Sequence, residues 1–341
     1  MVNIGDFANK LTAIGIPAFS IEPKQSAFFT EYHIEFRPEI TFNKVKARLR
    51  DIEMFMDAPT EMTTCGRCVV FKVQNAERQT ENTFDYLKPE IMQNRLCELP
   101  LVIGRGADGS MIYEDLTRFP HLLVGGATGS GKSVFLNNCI VSLIYGGVSG
   151  LAMIDVKKVE LSVYKDIPNL VSPIATDTKT AKRLLKNLCH EMNTRYERLE
   201  MANCRNIIEY NSRYNNKIQY ITLIVDEIAD LVMQDKTIEP LLVRLAQVGR
   251  AAGIHMILAT QRPDSTVLSG LIRANVPTRV CFAVQKATDS RIILDESGGE
   301  KLSGAGDGLF KPIGSQTVTR FQAPYISTEQ ILKLVNHVKR L

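Results

Sequence analysis

Apolar and polar positions follow two rhythms along the chain. From about residue 20 to 97, short strand-like runs surround one helical stretch. Tyr32-His33-Ile34-Glu35-Phe36 alternates with a period of two and predicts a half-buried strand. Val45, Leu49, Ile52 and Met56 recur at helical spacing, which predicts a single helix over Phe42 to Met56. Cys68 to Val73 predicts another strand. After Glu98 the rhythm becomes strand, loop, helix, repeated. His121 to Val124, Leu151 to Ile154, Tyr220 to Val225, Ile254 to Ala259 and Arg279 to Val284 are continuous apolar runs. Between them, Asp177 stands where it would cap a long helix with Ala181, Leu184, Leu185, Leu188, Met192, Tyr196 and Leu199 on one face. Unbroken apolar strands alternating with helices predict a mainly parallel sheet covered on both faces. The expected division is a small α+β domain at 1–97 and a larger α/β domain at 98–341, with ligands at the carboxyl ends of the strands.

Ser133 to Ile154 carries no charge over 22 residues, long enough to span a bilayer. Asn137, Asn138 and the pair Gly146-Gly147 interrupt it, so a buried helix followed by a buried strand is predicted instead. The first residues lack a basic segment followed by an apolar core, so no export signal is read and a cytoplasmic location is expected. Seven scattered cysteines include Cys65-Gly66-Arg67-Cys68, half a zinc spacing without a second half, and no metal is predicted there.

The composition, 45% hydrophobic and 23% charged, belongs to an ordinary globular chain and excludes collagen-like, disordered and coiled-coil classes. The net charge of +4 is too small to demand a polyanionic partner. Binding to nucleic acid would need a local patch or a ring of subunits.

Gly126-Ala127-Thr128-Gly129-Ser130-Gly131-Lys132-Ser133 completes the G-x-x-x-x-G-K-S pattern between a predicted strand and a predicted helix. The glycines let several amides converge on one phosphate group, and the helix end adds positive potential. Lys132 would reach the β- and γ-phosphates of ATP, and the Ser133 hydroxyl would ligate Mg²⁺. Asp226-Glu227 closes a buried strand. Asp226 would hold Mg²⁺ through water, and Glu227 would orient or deprotonate the attacking water. This requires both carboxylates to face the loop, on a strand that borders it. Gln261, at the tip of the strand ending Ala259-Thr260, is a candidate γ-phosphate sensor. Gly104-Arg105-Gly106-Ala107-Asp108-Gly109 matches the dinucleotide pattern G-x-G-x-x-G, but Asp108-Gly109 followed by Met111-Ile112-Tyr113 predicts a hairpin.

With these pieces in place, residues 98 to 330 resemble the motor domain of FtsK/SpoIIIE-type DNA translocases. The runs that carry the resemblance are His121 to Val124 with the P-loop, Met153 to Leu161, Val225 to Leu231, Arg250 to His255, Ala259 to Pro263, Asn275 to Arg279 and Asp289 to Asp295. More weakly, the first 97 residues resemble the small domain preceding that motor, chiefly at Arg78-Gln79-Thr80. The resemblance implies a RecA-like P-loop NTPase fold, a hexameric homo-oligomeric ring around double-stranded DNA, and ATP hydrolysis between subunits. Arg250 matches the family's arginine finger, and Arg262 and Arg291 match loops lining the DNA channel. Such a ring gathers several copies of a few arginines on phosphates without reading sequence. No membrane span or C-terminal winged-helix domain is read in this chain, which implies a stand-alone motor. A protein-moving secretion ATPase and a non-catalytic nucleotide-gated docking module are the competing readings.

Overall fold

Asn3 accepts hydrogen bonds from the amides of Gly5 and Asp6 and so starts α1 (Ile4–Ala13). In the computed structural model, residues 3–25, 29–58, 60–75, 81–87, 97–147 and 149–340 are described. Arg78, Gln79 and Thr80 lie outside them. The chain divides into two units: Met1–Thr80 with Arg105–Ser110, and Glu81–Gly104 with Met111–Leu341. The division falls near residue 80 rather than 97. Residues 81–104 go with the larger unit, where the Thr83 hydroxyl donates to Asn138 and the Thr83 amide to the Tyr325 carbonyl.

In the first unit, β1 (Ala18–Gln25), β2 (Phe29–Phe36), β3 (Thr60–Cys65) and β4 (Cys68–Gln74) form an antiparallel sheet in the order β1-β2-β4-β3. Phe7, Leu11, Ile34, Val45, Ile52 and Phe71 make its core. The expected single helix over Phe42 to Met56 is two, α2 (Phe42–Lys46) and α3 (Leu49–Met56). The backbone tightens at Ala47 and Arg48, where the Arg48 amide bonds Val45 three residues back. The apolar face survives the break, which is why spacing alone missed it. Cys65 and Cys68 are register partners across a turn in which Gly66 has φ +60°.

The second unit contains β5 (Pro100–Gly106) as far as Gly104, then β6 (Met111–Asp115), β7 (His121–Gly125), α4 (Lys132–Gly146), β8 (Ser149–Ile154), α5 (Thr178–Met201), α6 (Ile207–Arg213) and β9 (Tyr220–Val225). Then follow α7 (Ile228–Gln234), α8 (Glu239–Val248), β10 (Ile254–Thr260), α9 (Gly270–Asn275), β11 (Thr278–Phe282), α10 (Ala287–Leu294), β12 (Asp307–Lys311), β13 (Thr319–Gln322) and α11 (Thr328–Val338). The strands form one sheet in the order β6-β5-β13-β12-β11-β7-β10-β9-β8. From β11 to β8 neighbours are parallel, while β12 and β13 are antiparallel.

Alternate residues enter opposite layers. Leu122, Val124, Met153, Ile224 and Ile257 pack with Phe135, Ile140 and Leu143 of α4 and Ile331 of α11. Leu123, Ala152, Leu223, Met256 and Leu258 pack with Leu185 and Leu188 of α5 and Leu242 and Leu245 of α8. The stretch from β11 to β8 is the doubly covered parallel sheet expected from continuous apolar strands, and the antiparallel β12 and β13 make the whole a mixed sheet of RecA-like α/β fold. Asp177 caps α5 in a capping box with Thr180. The uncharged run ends its helix at Gly147, φ +69°, before β8. Among the described residues no helix is long and apolar enough to cross a membrane. The segment from Gly104 to Tyr113 is a strand, a turn and a returning strand, with Gly109 at φ +83°.

Candidate functional site

At the carboxyl end of β7 the chain enters residues 126–131, tied down on two sides. The Gly126 amide donates to Thr260 and the Ala127 amide to Ala283, so the loop hangs from the ends of β10 and β11. Gly131 has φ +104°, and a Cβ there would lie 2.4 Å from the Gly306 nitrogen, which leaves room for glycine alone. Helix α4 starts at Lys132 with no side-chain cap, so its first amides are open to an anion. The Ser130 hydroxyl is buried without a hydrogen-bond partner.

Lys132 is 2% exposed, and its Nζ donates to the Asp226 carbonyl at 3.0 Å and to Asp226 Oδ1 at 3.1 Å. The P-loop lysine and the acidic tip of β9 are thus in direct contact. The acidic strand does not border β7, however, because β10 lies between them. The long lysine side chain spans the intervening strand, so adjacency was the wrong requirement and proximity the right one. The interposed β10 supplies the groups that hold Glu227. Glu227 is 5% exposed. Its Oε1 accepts from the Thr260 hydroxyl at 2.6 Å and its Oε2 from the Gln261 amide at 2.9 Å. The Gln261 side chain accepts from the Thr128 hydroxyl at 3.0 Å, which ties it to the P-loop.

A further loop, 155–161, follows β8. Asp155, 1% exposed, accepts from the amides of Lys158 and Leu161 at 2.8 and 2.9 Å and folds the loop about its carboxylate. Lys157 then stands 3.6 Å from Glu227 and 3.2 Å from Asp230. Burial pulls its ammonium down, but the hydrogen bond to Asp230 and the charges of Glu227, Asp230 and Asp226 outweigh it and hold Lys157 above its ordinary range. The Ser133 hydroxyl donates to Glu160 at 2.8 Å. Thr260, Lys157 and Glu160 lie within runs that carry the family resemblance, but no chemical role was read for them. The signal that could have found them was an acid and a lysine just past a buried strand end.

The three arginines are placed differently, and Arg250 stands apart from this cluster. Arg250 precedes β10, at the end of the sheet where β7 begins, and donates to the Arg118 carbonyl at 3.1 Å. Its turn is braced by Arg195, which donates to the Ala252 carbonyl at 2.9 Å. Below it are two buried histidines, 6.4 Å apart. His121 donates through Nε2 to Ala246 and His255 through Nδ1 to Pro120. Burial holds His121 down at about 3 and His255 at about 4. Arg262 is exposed beside the P-loop, in a cleft of about 400 Å³ shared with Thr128, Gln261 and Asp289. Arg291 is exposed on α10, a helix rather than a loop.

The oxygens of Ser133 and Asp226 are the hard donors that Mg²⁺ takes, and the open amides and unpartnered Ser130 hydroxyl suit a triphosphate. Nucleotide and metal fit this site. Fold and site together define a RecA-like P-loop nucleotide-binding protein. The FtsK/SpoIIIE family profile matches residues 84–221 and 208–265, and the chain belongs to that family. It is 47% identical to DNA translocase FtsK of Lactococcus lactis subsp. cremoris, over 99% of this chain and 47% of that protein. It is 37% identical to DNA translocase SpoIIIE of Bacillus subtilis, over 98% of this chain and 46% of that one. The chain thus spans about half the length of the curated relatives it matches. Among solved structures, the pCW3 conjugation coupling protein TcpA, a monomer form with ATPγS, superposes with a TM-score of 0.69 at 25% identity. That match covers 97% of this chain and 98% of the chain in that structure. The cytoplasmic domain of the type VII secretion ATPase EccC of Thermomonospora curvata shares the fold, with a TM-score of 0.63 at 22% identity over 74% of this chain and 31% of that one.

Proposed function

We propose that this chain is an ATP-hydrolysing motor that moves double-stranded DNA and works as a ring of identical subunits, hexameric by the family's pattern. The observation that carries the reading is the contact of Lys132 with Asp226, which brings phosphate loop and acidic tip together in a member of a family whose relatives are named DNA translocases. The amides of residues 126–133 grip the phosphate chain, and Lys132 shifts from Asp226 to the β- and γ-phosphates. Ser133 and Asp226 would hold Mg²⁺, which when bound would draw negative charge from the phosphate oxygens. Glu227 aligns a water and takes its proton as the oxygen attacks the γ-phosphorus and the bond to the β-phosphate oxygen breaks. Gln261 senses the γ-phosphate. Arg250 acts on the site of a neighbouring subunit, and Arg262 and Arg291 contact DNA phosphates.

The test is the ATPase rate with and without linear duplex DNA across a salt series. Stimulation by DNA that fades as salt rises is the expected result, since phosphate contacts weaken with ionic strength. Hydrolysis indifferent to DNA would overturn the reading in favour of a protein-moving motor. Absence of hydrolysis, unchanged in Glu227→Gln, would favour a docking module.

A further inference from the structure

We propose that Glu160 is a positioning residue for the Ser133 hydroxyl and makes nucleotide binding at this site depend on a divalent cation. The proposal rests on the P-loop reading above and deepens it. A hydroxyl has one proton and two lone pairs. In this structure the proton of Ser133 is directed at Glu160 Oε1, 2.8 Å away, which leaves the lone pairs free to face a cation. Partners that take a ligand's proton fix its orientation and strengthen it as a donor.

Glu160 is held for this role from two sides. The buried carboxylate of Asp155 gathers the amides of Lys158 and Leu161 on either side of it in sequence, and Leu161 is itself fully buried. Beyond the loop, the Tyr164 hydroxyl donates to Asn137 Oδ1 at 2.7 Å, and Asn137 donates back to the Ser133 carbonyl at 3.0 Å. The segment after β8 is therefore pinned to the first turns of α4, although β9 and β10 separate β8 from β7.

The electrostatics give the proposal a sign. The open end of α4 favours a carboxylate beside Ser133. A triphosphate at the same helix end is repelled by Glu160 unless a cation stands between them. Glu160 thus opposes nucleotide alone and supports nucleotide with metal.

The experiment measures binding of a fluorescent ATP analogue to the full chain, in EDTA and across a Mg²⁺ titration, for the unaltered protein, Glu160→Gln, Ser133→Ala and the double variant. Glu160→Gln is expected to raise the Mg²⁺ concentration needed for half-maximal enhancement by roughly 10- to 100-fold. Its binding in EDTA should be tighter, which also reports an intact fold. The double variant should be no worse than Ser133→Ala, because both act through one hydroxyl. An unaltered Mg²⁺ dependence, equal weakening with and without Mg²⁺, or additive losses in the double variant would each overturn the proposal. Lys132→Ala separates the two readings. If it binds nucleotide as the unaltered chain does, the P-loop reading falls and takes this proposal with it. If it loses nucleotide while Glu160→Gln keeps its Mg²⁺ response, only the role of Glu160 is lost.

Discussion

Replacing Arg250 by alanine should stop turnover and spare nucleotide binding. The basis is the position of the residue. Arg250 lies before Ile254, and β10 rises six steps from Ile254 to Thr260, which borders the P-loop. At about 3.3 Å per step the arginine is roughly 20 Å from its own phosphate site, far beyond the reach of its side chain. It is exposed and donates to the exposed Arg118 carbonyl, so its loss should cost the fold no more than about 1 kcal/mol. If a neighbouring subunit presents it to the phosphate being transferred, turnover should fall by roughly 10³–10⁵. The assay is steady-state ATP hydrolysis, with nucleotide affinity and melting temperature measured alongside. An equimolar mixture with Glu227→Gln then tests the geometry. In a head-to-tail ring, about a quarter of the interfaces would pair an intact Glu227 with an intact Arg250 and recover activity. A mixture no more active than its components, or an affinity loss as large as the loss of turnover, would refute an arginine working across the interface.

Lys132→Ala should abolish nucleotide binding and also destabilise the chain, by about 3–5 kcal/mol, because the carboxylate of Asp226 is left buried without its partner. Adding Asp226→Asn should recover denaturant resistance without recovering binding; failure to recover would show that the pair is not what the fold loses. Gly131→Ala should lower both melting temperature and nucleotide affinity, since its backbone is at φ +104° and the new methyl would meet the Gly306 backbone. Urea unfolding should show stability falling as pH drops from about 6.5 toward the folded values near 4 and 3 of His255 and His121. Both are held neutral in the fold and protonate on unfolding, so the contribution is complete above the unfolded value. Its loss should amount to about 2 kcal/mol between pH 6.5 and 5.5, shared by the pair. A pH-independent midpoint in His121→Gln/His255→Gln would support the assignment, and an unchanged slope would count against it.

The parts of the molecule that were legible in sequence are those where one physical requirement dominates. Strands covered on both faces must be apolar throughout, and so Leu122-Leu123-Val124 and Ile221 to Val225 announced the sheet. Gly131 must be glycine, and Asp177 caps with its own side chain, so both left local marks. What escaped was set by tertiary placement. The apolar face of α2 and α3 is continuous, and nothing in its spacing records the tightened turn at Arg48. Strand order leaves no local trace either, which is why β10 was not expected between the lysine and its acid. Lys157 and Glu160 read as ordinary charges past a strand end until Asp155 is seen to fold them inward.

The inward fold of that loop bears on what the site accepts. Two ammonium groups, Lys132 and Lys157, face four carboxylates, those of Asp226, Glu227, Asp230 and Glu160 with its Ser133 hydroxyl. These side chains thus carry a surplus of two negative charges, offset in part by the amides and dipole at the start of α4. A bare triphosphate meets this surplus as repulsion, whereas a triphosphate carrying a divalent cation delivers positive charge where the acids converge. If Lys132 left Asp226 for phosphate, as proposed, the buried carboxylate would need a new positive partner at once, because an unpaired buried charge is among the costlier states a protein can adopt. On the proposed function, phosphate capture by Lys132 and metal capture by Asp226 would therefore belong to a single exchange of partners.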